Sequence, residues 1–225
     1  MKVLEHSIVV AVALLLLPAL PEATAAPSVS AIFAQNDDGV TTDLFDVAQG
    51  AVVTNSSALF PGFIAEGTFG SNAPQAVEGF RTIFSDVQIA TDFIDFQTAT
   101  PINLSSYRFI LGEDGNGSGN RGAIAFRLYA SSSSGDLLSQ QVSGTSLAST
   151  YTANYGSPQI AITDSLSISN VRFFRMEVDR AQSSGPRVFE LDGFGVVVPE
   201  ASSIAITAIA LVFLAPHVLS RWSRM

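Results

Sequence analysis

The chain has 225 residues, a net charge of −9 and no Cys, so disulfides and thiolate-bound metals are excluded, and the acid excess disfavours nucleic acid, whose partners need a basic footprint. His6, His217, Lys2 and Trp222 are the sole representatives of their types, and all lie near the two ends. Between those ends there is no ordinary base near neutral pH, no amine nucleophile and no thiol, which excludes Ser-His-Asp chemistry and leaves carboxylates, Arg, Tyr and Ser.

Residues 1–26 read as a secretory signal peptide. Met1-Lys2 gives a positive start, Ile8 to Leu17 an apolar core of secretory length, and Ala23-Thr24-Ala25 the small residues that a signal peptidase prefers, with cleavage expected after Ala25 or Ala26. Glu5 and His6 weaken the positive start, so a retained N-terminal anchor is the alternative. Residues 27–197 are then one domain, in keeping with the usual domain size. Loss of Glu5, Glu22 and Glu200 with Lys2, Arg221 and Arg224 leaves the net charge of the exported part at −9.

Within the domain, short apolar runs of period two alternate with clusters of Gly, Ser, Asn and Asp, and long helical periodicity is absent. That pattern predicts an all-β antiparallel sandwich or barrel. The expected strands are Val29–Phe33, Ala51–Thr54, Gly79–Phe84, Val87–Phe96, Ile102–Leu111, Ala123–Ala130, Leu137–Val142, Gln159–Ser165, Val171–Asp179 and Val188–Val197. In the ninth, Phe174, Met176 and Val178 should face inward and Arg175, Glu177 and Asp179 solvent; in the sixth, Ile124, Phe126 and Leu128 share one face, with Arg127 and Tyr129 on the other. Long loops are expected at Asn36–Asp43, Gly112–Gly122 and Ser131–Gly135. No repeat of fixed period is present, which speaks against a solenoid or propeller.

Several of these segments carry polar groups with chemical potential. Asn36-Asp37-Asp38-Gly39 gathers side-chain oxygens around a glycine, as a hard cation requires. The loop from Glu113 to Asn120 is also oxygen-rich, but lacks the late Glu of an EF-hand and reads as a hairpin connection. Tyr151, Asn154 and Tyr155, with Arg121, are the residues suited to stacking on a sugar ring and bonding its hydroxyls. A glycosidase would need two converging carboxylates; Asp92 and Asp95, three apart on a strand, should point to opposite faces, and Glu113 with Asp114 is the other available pair. No catalytic residue is assigned.

The chain closes with Val198-Pro199-Glu200, a small-polar spacer, an uncharged run from Ile204 to Ala215 that continues to Leu219, and a basic end at Arg221 and Arg224. Residues 204–219 read as a short transmembrane helix, with the Arg residues cytoplasmic and the bulk of the chain outside. This order of parts, over residues 198–225, resembles the PEP-CTERM sorting signal, with Val198, Pro199 and Glu200 as the motif and Ala201 where that family usually has a second Pro. The resemblance implies recognition by an exosortase-type processing enzyme, transient anchoring in the inner membrane of a Gram-negative bacterium, and display on the cell envelope or in the matrix beside extracellular polysaccharide. An uncut C-terminal anchor is the alternative.

A second resemblance rests on the strand Val171-Arg172-Phe173-Phe174-Arg175-Met176-Glu177-Val178-Asp179, followed by Arg187-Val188-Phe189-Glu190-Leu191-Asp192-Gly193-Phe194-Gly195, with Asp136 in the middle hairpin. These segments resemble the last strands of galactose-binding-like (discoidin, jelly-roll) domains. The resemblance implies a structural calcium held by an early Asp/Asn loop and a late Glu, which nominates Asn36, Asp38, Asp43 and Glu190. The expected function is a noncatalytic adhesion or matrix-binding module, with a specific carbohydrate-binding module and a carboxylate-only glycoside hydrolase as alternatives.

Overall fold

The computed structural model describes residues 26–32, 42–69, 82–87, 90–112, 121–147 and 159–199. The expected signal segment and the apolar run at 204–219 lie outside them, as do Asn36, Asp38, Tyr151, Asn154, Tyr155, Glu113, Asp114 and Glu200. Among the described residues no helix is long and apolar enough to cross a membrane. Eight strands are present there: β1 (Ser28–Ile32), β2 (Val52–Ser56), β3 (Thr82–Ile83), β4 (Thr91–Gly112), β5 (Ala123–Ser131), β6 (Gln141–Ser146), β7 (Gln159–Arg180) and β8 (Arg187–Val197).

All pairings are antiparallel, and β4 and β7, 22 residues each, pair along nearly their whole length. Both strands turn a corner, and so belong to two layers. In the first layer the order is β6-β5-β7-β4-β2, built on residues 173–180 of β7 and 91–97 of β4. In the second it is β1-β7-β4-β8-β3, built on residues 159–165 of β7 and 102–112 of β4. The layers face each other: Phe109 of the second stacks on Phe126 of the first with ring centroids 4.3 Å apart. This is an antiparallel β-sandwich, as the alternating pattern predicts.

Two pairs of expected strands are therefore single strands. Val87–Phe96 and Ile102–Leu111 fuse into β4, and Gln159–Ser165 and Val171–Asp179 into β7. The polar and proline-containing breaks between them are corners, not loops: the register shifts between Gln97 and Ile102 and again up to Ser106, and Asn170 takes a left-handed φ of 57°. A bulge adds one residue and so exchanges the two faces of a strand. Before the shift the even residues Ile94, Phe96, Ile102 and Leu104 are buried; after it the odd residues Tyr107, Phe109 and Leu111 face the core.

Two smaller expectations also change. Ile124 was placed with Phe126 and Leu128, but a register shift between Ala123 and Ala125 turns it outward, where it is 41% exposed. Leu137–Val142 was expected as a strand, yet Ser134–Ser139 is a 3₁₀ turn, capped by Ser133, whose side chain accepts from the Gly135 N–H. Its local serines compete with the sheet for backbone hydrogen bonds. Phe174, Met176 and Val178 do face inward. Their neighbours Arg175, Glu177 and Asp179 lie on the outer face but are only half-exposed, because Arg127 bonds Glu177 and Asp179, and Arg175 bonds Asp95, across three adjacent strands.

The core is aromatic. Phe45, Phe69, Phe96 and Phe174 form one group, with Phe96 and Phe174 stacked at 5.1 Å. Phe45 and Phe69 come from the irregular segment before and after β2, which plugs the flank between β2 and β8. Asp43 holds that plug, its Oδ1 accepting from the N–H groups of Phe45 and Gly193. Buried polar groups are partnered here too: Tyr107 donates to Ser143, which donates to Asp164.

A Cβ at Gly193 would meet the Phe45 ring at 2.6 Å. Gly193→Ala should therefore unseat the plug and cost about 1–3 kcal/mol in urea unfolding, the usual range for overpacking. An unchanged midpoint would show that the plug can yield.

Candidate binding end

The corners give the sandwich two unlike ends. At one, the base, the two corners are bonded together, Arg172 Nε donating to the Thr98 carbonyl at 3.3 Å and the Asn170 N–H to Asn103 Oδ1 at 2.9 Å. The β5–β6 turn and the exit of β8 lie here as well. At the other end the strands stop, and the connections from β1, β3, β4, β6 and β7 all depart.

Two arginines close that loop-bearing end. Arg180 is in phase with the inward residues of β7, and Asp92 with those of β4; their side chains are 5% and 0% exposed. Arg180 grips Asp92 with Nε–Oδ2 at 2.7 Å and Nη2–Oδ1 at 2.9 Å, and also donates to the carbonyls of Ser85 and Ser183. Burial pushes the Asp92 carboxyl above its ordinary value, against the pull of the guanidinium.

Arg121 makes the second staple. Its guanidinium donates to both Asp86 oxygens, at 3.0 and 3.3 Å, and to the Gly185 carbonyl, and lies 4.9 Å from the Phe60 ring centroid. The Gly185 N–H and Arg121 hold the Asp86 carboxyl below the usual carboxylate range. A φ of 65° at Arg121 is costly for a residue with a side chain, and it is retained where both the fork and the carbonyl, which accepts from Arg187 N, are engaged.

Beside this latch is an open cavity of about 560 Å³ whose walls include Thr91, Ile124, Asp179, Arg180, Gln182 and Ser183. Ile124 supplies an exposed apolar patch. Asp179 faces it with both oxygens ordered by Arg127 and Thr91, and Arg127 holds its carboxyl below the ordinary value. Apolar surface next to fixed polar groups is what recognition of a small polar ring requires.

Of the residues proposed from sequence, Arg121 is at this end, with its fork committed to Asp86. Tyr151, Asn154 and Tyr155 belong to the connection between Leu147 and Gln159; Leu147 donates its N–H to the Ile124 carbonyl at 2.6 Å, so that connection starts at the cavity wall. Asp92 and Asp95 point to opposite faces, each held by its own arginine. The residues missed were Ile124, Asp179 and the Asp92–Arg180 pair. For the pair a signal existed: an Asp in phase with Ile94 and Phe96, and an Arg in phase with Phe174, Met176 and Val178, are opposite charges on two apolar faces.

The nominated calcium ligands are partly in view. Glu190 is 4% exposed and Asp43 6%, and Asp43 sits against Gly193, three positions along β8 from Glu190. Buried carboxylate oxygens suit a hard cation, but Asp43 Oδ1 already serves two backbone donors. Among the described residues no group of three or more such side chains gathers, so a site here would also need Asn36 and Asp38.

No protein-family model matches the chain, and no curated protein sequence matches it. Solved structures do. The chain is similar to CBM32-3 from a family 31 glycoside hydrolase of Clostridium perfringens, with a TM-score of 0.51 and 12% identity over 72% of this chain and 99% of that one. It is also similar to allantoicase from Saccharomyces cerevisiae, with a TM-score of 0.52 and 14% identity over 70% of this chain but 49% of that one. These two structures have the fold described above, an antiparallel β-sandwich. A named carbohydrate module and a named enzyme share it, so the fold alone does not select a ligand.

Arg180→Met, leaving Asp92 buried without its partner, should cost about 3–5 kcal/mol in urea unfolding, whereas Asp92→Leu with Arg180→Met should recover most of it. A single variant as stable as the double would show that the pair is not what closes this end.

Proposed function

We propose that this chain is an exported, noncatalytic adhesion module that binds extracellular polysaccharide through its loop-bearing end. The observation that carries the reading is the cavity of about 560 Å³ at the end opposite the exit of β8, with apolar Ile124 beside the ordered Asp179. The carbohydrate-binding module among the fold neighbours supports the ligand class. Tyr151, Asn154 and Tyr155, in the connection that leaves from Leu147 beside Ile124, would supply stacking faces and hydroxyl contacts, and Arg121 fixes the connections after β3 and β7.

Sorting is part of the same proposal. Residues 1–26 direct export, and Val198, Pro199 and Glu200 form the motif at which an exosortase-type enzyme acts while residues 204–219 hold the chain in the inner membrane. Val198 is half-buried with its N–H on the Pro101 carbonyl, and Pro199 is exposed, so the sheet ends where the motif begins. Such a motif is accessible to a processing enzyme without unfolding the sandwich.

A structural calcium held by Asn36, Asp38, Asp43 and Glu190 would tie the segment after β1 to β8. With calcium bound, chelator should lower the melting temperature of residues 27–199 by several degrees, since a ligand bound only by the folded state stabilises it. Identical melts with calcium and with chelator would remove calcium from the proposal. For the ligand, residues 27–199 applied to a glycan array should give discrete hits that Ile124→Asp, Tyr151→Ala or Tyr155→Ala abolishes. An empty array, or hits indifferent to all three changes, would overturn the binding role.

A further inference from the structure

We propose that the base of the sandwich is a lipid-facing surface, which rests on the headgroup region of the membrane that holds the chain's own anchor. The proposal rests on reading residues 204–219 as that anchor.

The first observation is the length of the tether. Val198 is the last residue bonded to the sheet, its N–H donating to the Pro101 carbonyl at 2.8 Å. The apolar run begins at Ile204, so residues 199–203 are all that lies between folded domain and bilayer. Fully extended, five residues reach about 17 Å. Part of that is taken up by the headgroup layer, about 5–8 Å deep on each side of the bilayer. By contrast β8, 11 residues long, spans roughly 36 Å from the exit to the loop-bearing end. A tether less than half that length cannot let the sandwich turn over. The exit of β8, and the base with it, stays within the tether's reach of the membrane, and the cavity end cannot take its place there.

The second observation is what the base presents. Around the exit, Val196 and Val197 are 61% and 50% exposed, Val52 at the corner of the first layer 51%, and Leu138 on the β5–β6 turn 61%. Each is an aliphatic side chain held in water at the one end that cannot leave the bilayer. By register they belong to the same end as the exit of β8. Apolar side chains on a surface held at the interface bury into the headgroup and acyl boundary.

Charge points the same way. A protein of net charge −9 is repelled by anionic lipid unless its acids are kept at a distance. Among the described residues, the exposed or half-exposed charges near the base are Asp136 and Arg172, which are opposite in sign. With those two charges cancelling, the base carries no net charge of its own to oppose contact with anionic lipid.

The absence of Cys makes the test direct, because any introduced thiol is unique. Residues 27–225 carrying Val52→Cys, Leu138→Cys or, as the reference at the other end, Val87→Cys would be labelled with an environment-sensitive fluorophore. Each would be reconstituted into vesicles of phosphatidylethanolamine and phosphatidylglycerol containing a headgroup-nitroxide lipid. The labels at 52 and 138 should be quenched several-fold more strongly than the label at 87. Inserting about 20 Gly and Ser residues after Pro199, with a root-mean-square reach of about 25 Å, should weaken that difference. Equal quenching at all three positions in vesicles that carry the protein through flotation would overturn the lipid-facing base while leaving the anchor intact. Protein that fails to float with the vesicles would overturn the anchor itself. Labels at 52 and 138 shielded in native membranes but open in protein-free vesicles would put a protein partner in place of lipid, and so also overturn the proposal.

Discussion

The structure depends on one strand pair. β4 and β7 remain hydrogen-bonded to each other through both layers, so each layer is assembled outward from the same two central strands: β5, β6 and β2 on one side of the corner, β1, β8 and β3 on the other. Neither layer can shift against the other without breaking this ladder. Because the pairing must turn, it needs bulges, and because each bulge exchanges the faces of a strand, the apolar residues must change parity at the same place. The residues of β4 in the central core do so, passing from even to odd numbers between Leu104 and Tyr107.

That turn also explains why the two ends differ. At the corners the backbone runs on from one layer to the other, and its hydrogen bonds are supplied by the corners themselves. At the open end the layers are joined by side chains instead. Arg180, held by Asp92 on the neighbouring strand of its own layer, donates across to the Ser85 carbonyl after β3, and Arg121 ties the connections after β3 and β7 together. A guanidinium is suited to both tasks, since its planar fork satisfies a carboxylate and carbonyls together. Lys, with its compact and strongly hydrated charge, would do neither, and the described fold contains none.

Much of this was legible from residue order, and the failures share a cause. Alternation located the strands and the inward faces of Phe174, Met176 and Val178, because burial on one face is a local property of a strand. Parity likewise set Asp92 and Asp95 apart. Each long strand was divided in two at its corner because Pro101 and the Ser-rich stretch at 165–169 carry the composition of a turn; what distinguishes a corner is a partner strand that turns with it, and that is not local. Ile124 was assigned inward for the same reason, since a bulge is a property of the pair and not of one strand. The cavity wall could not be read at all, being assembled from β4, β5 and the residues after β7, more than 80 positions apart in the chain at the extremes.

The place of β8 in the second layer has a bearing on how the molecule is made. It is not an edge but lies between β4 and β3, and the residues it covers include Phe109 and Leu111. A chain that emerges from its amino end therefore presents an incomplete sheet, with the exposed rim of β4 awaiting a partner, until residue 197 has appeared. Pairings of such long sequence separation are slow to form, and unfilled strand rims invite association with other chains. Closure of the second layer thus waits for β8, after every other described strand has already been made, so the two layers are completed by the strand that comes last among them.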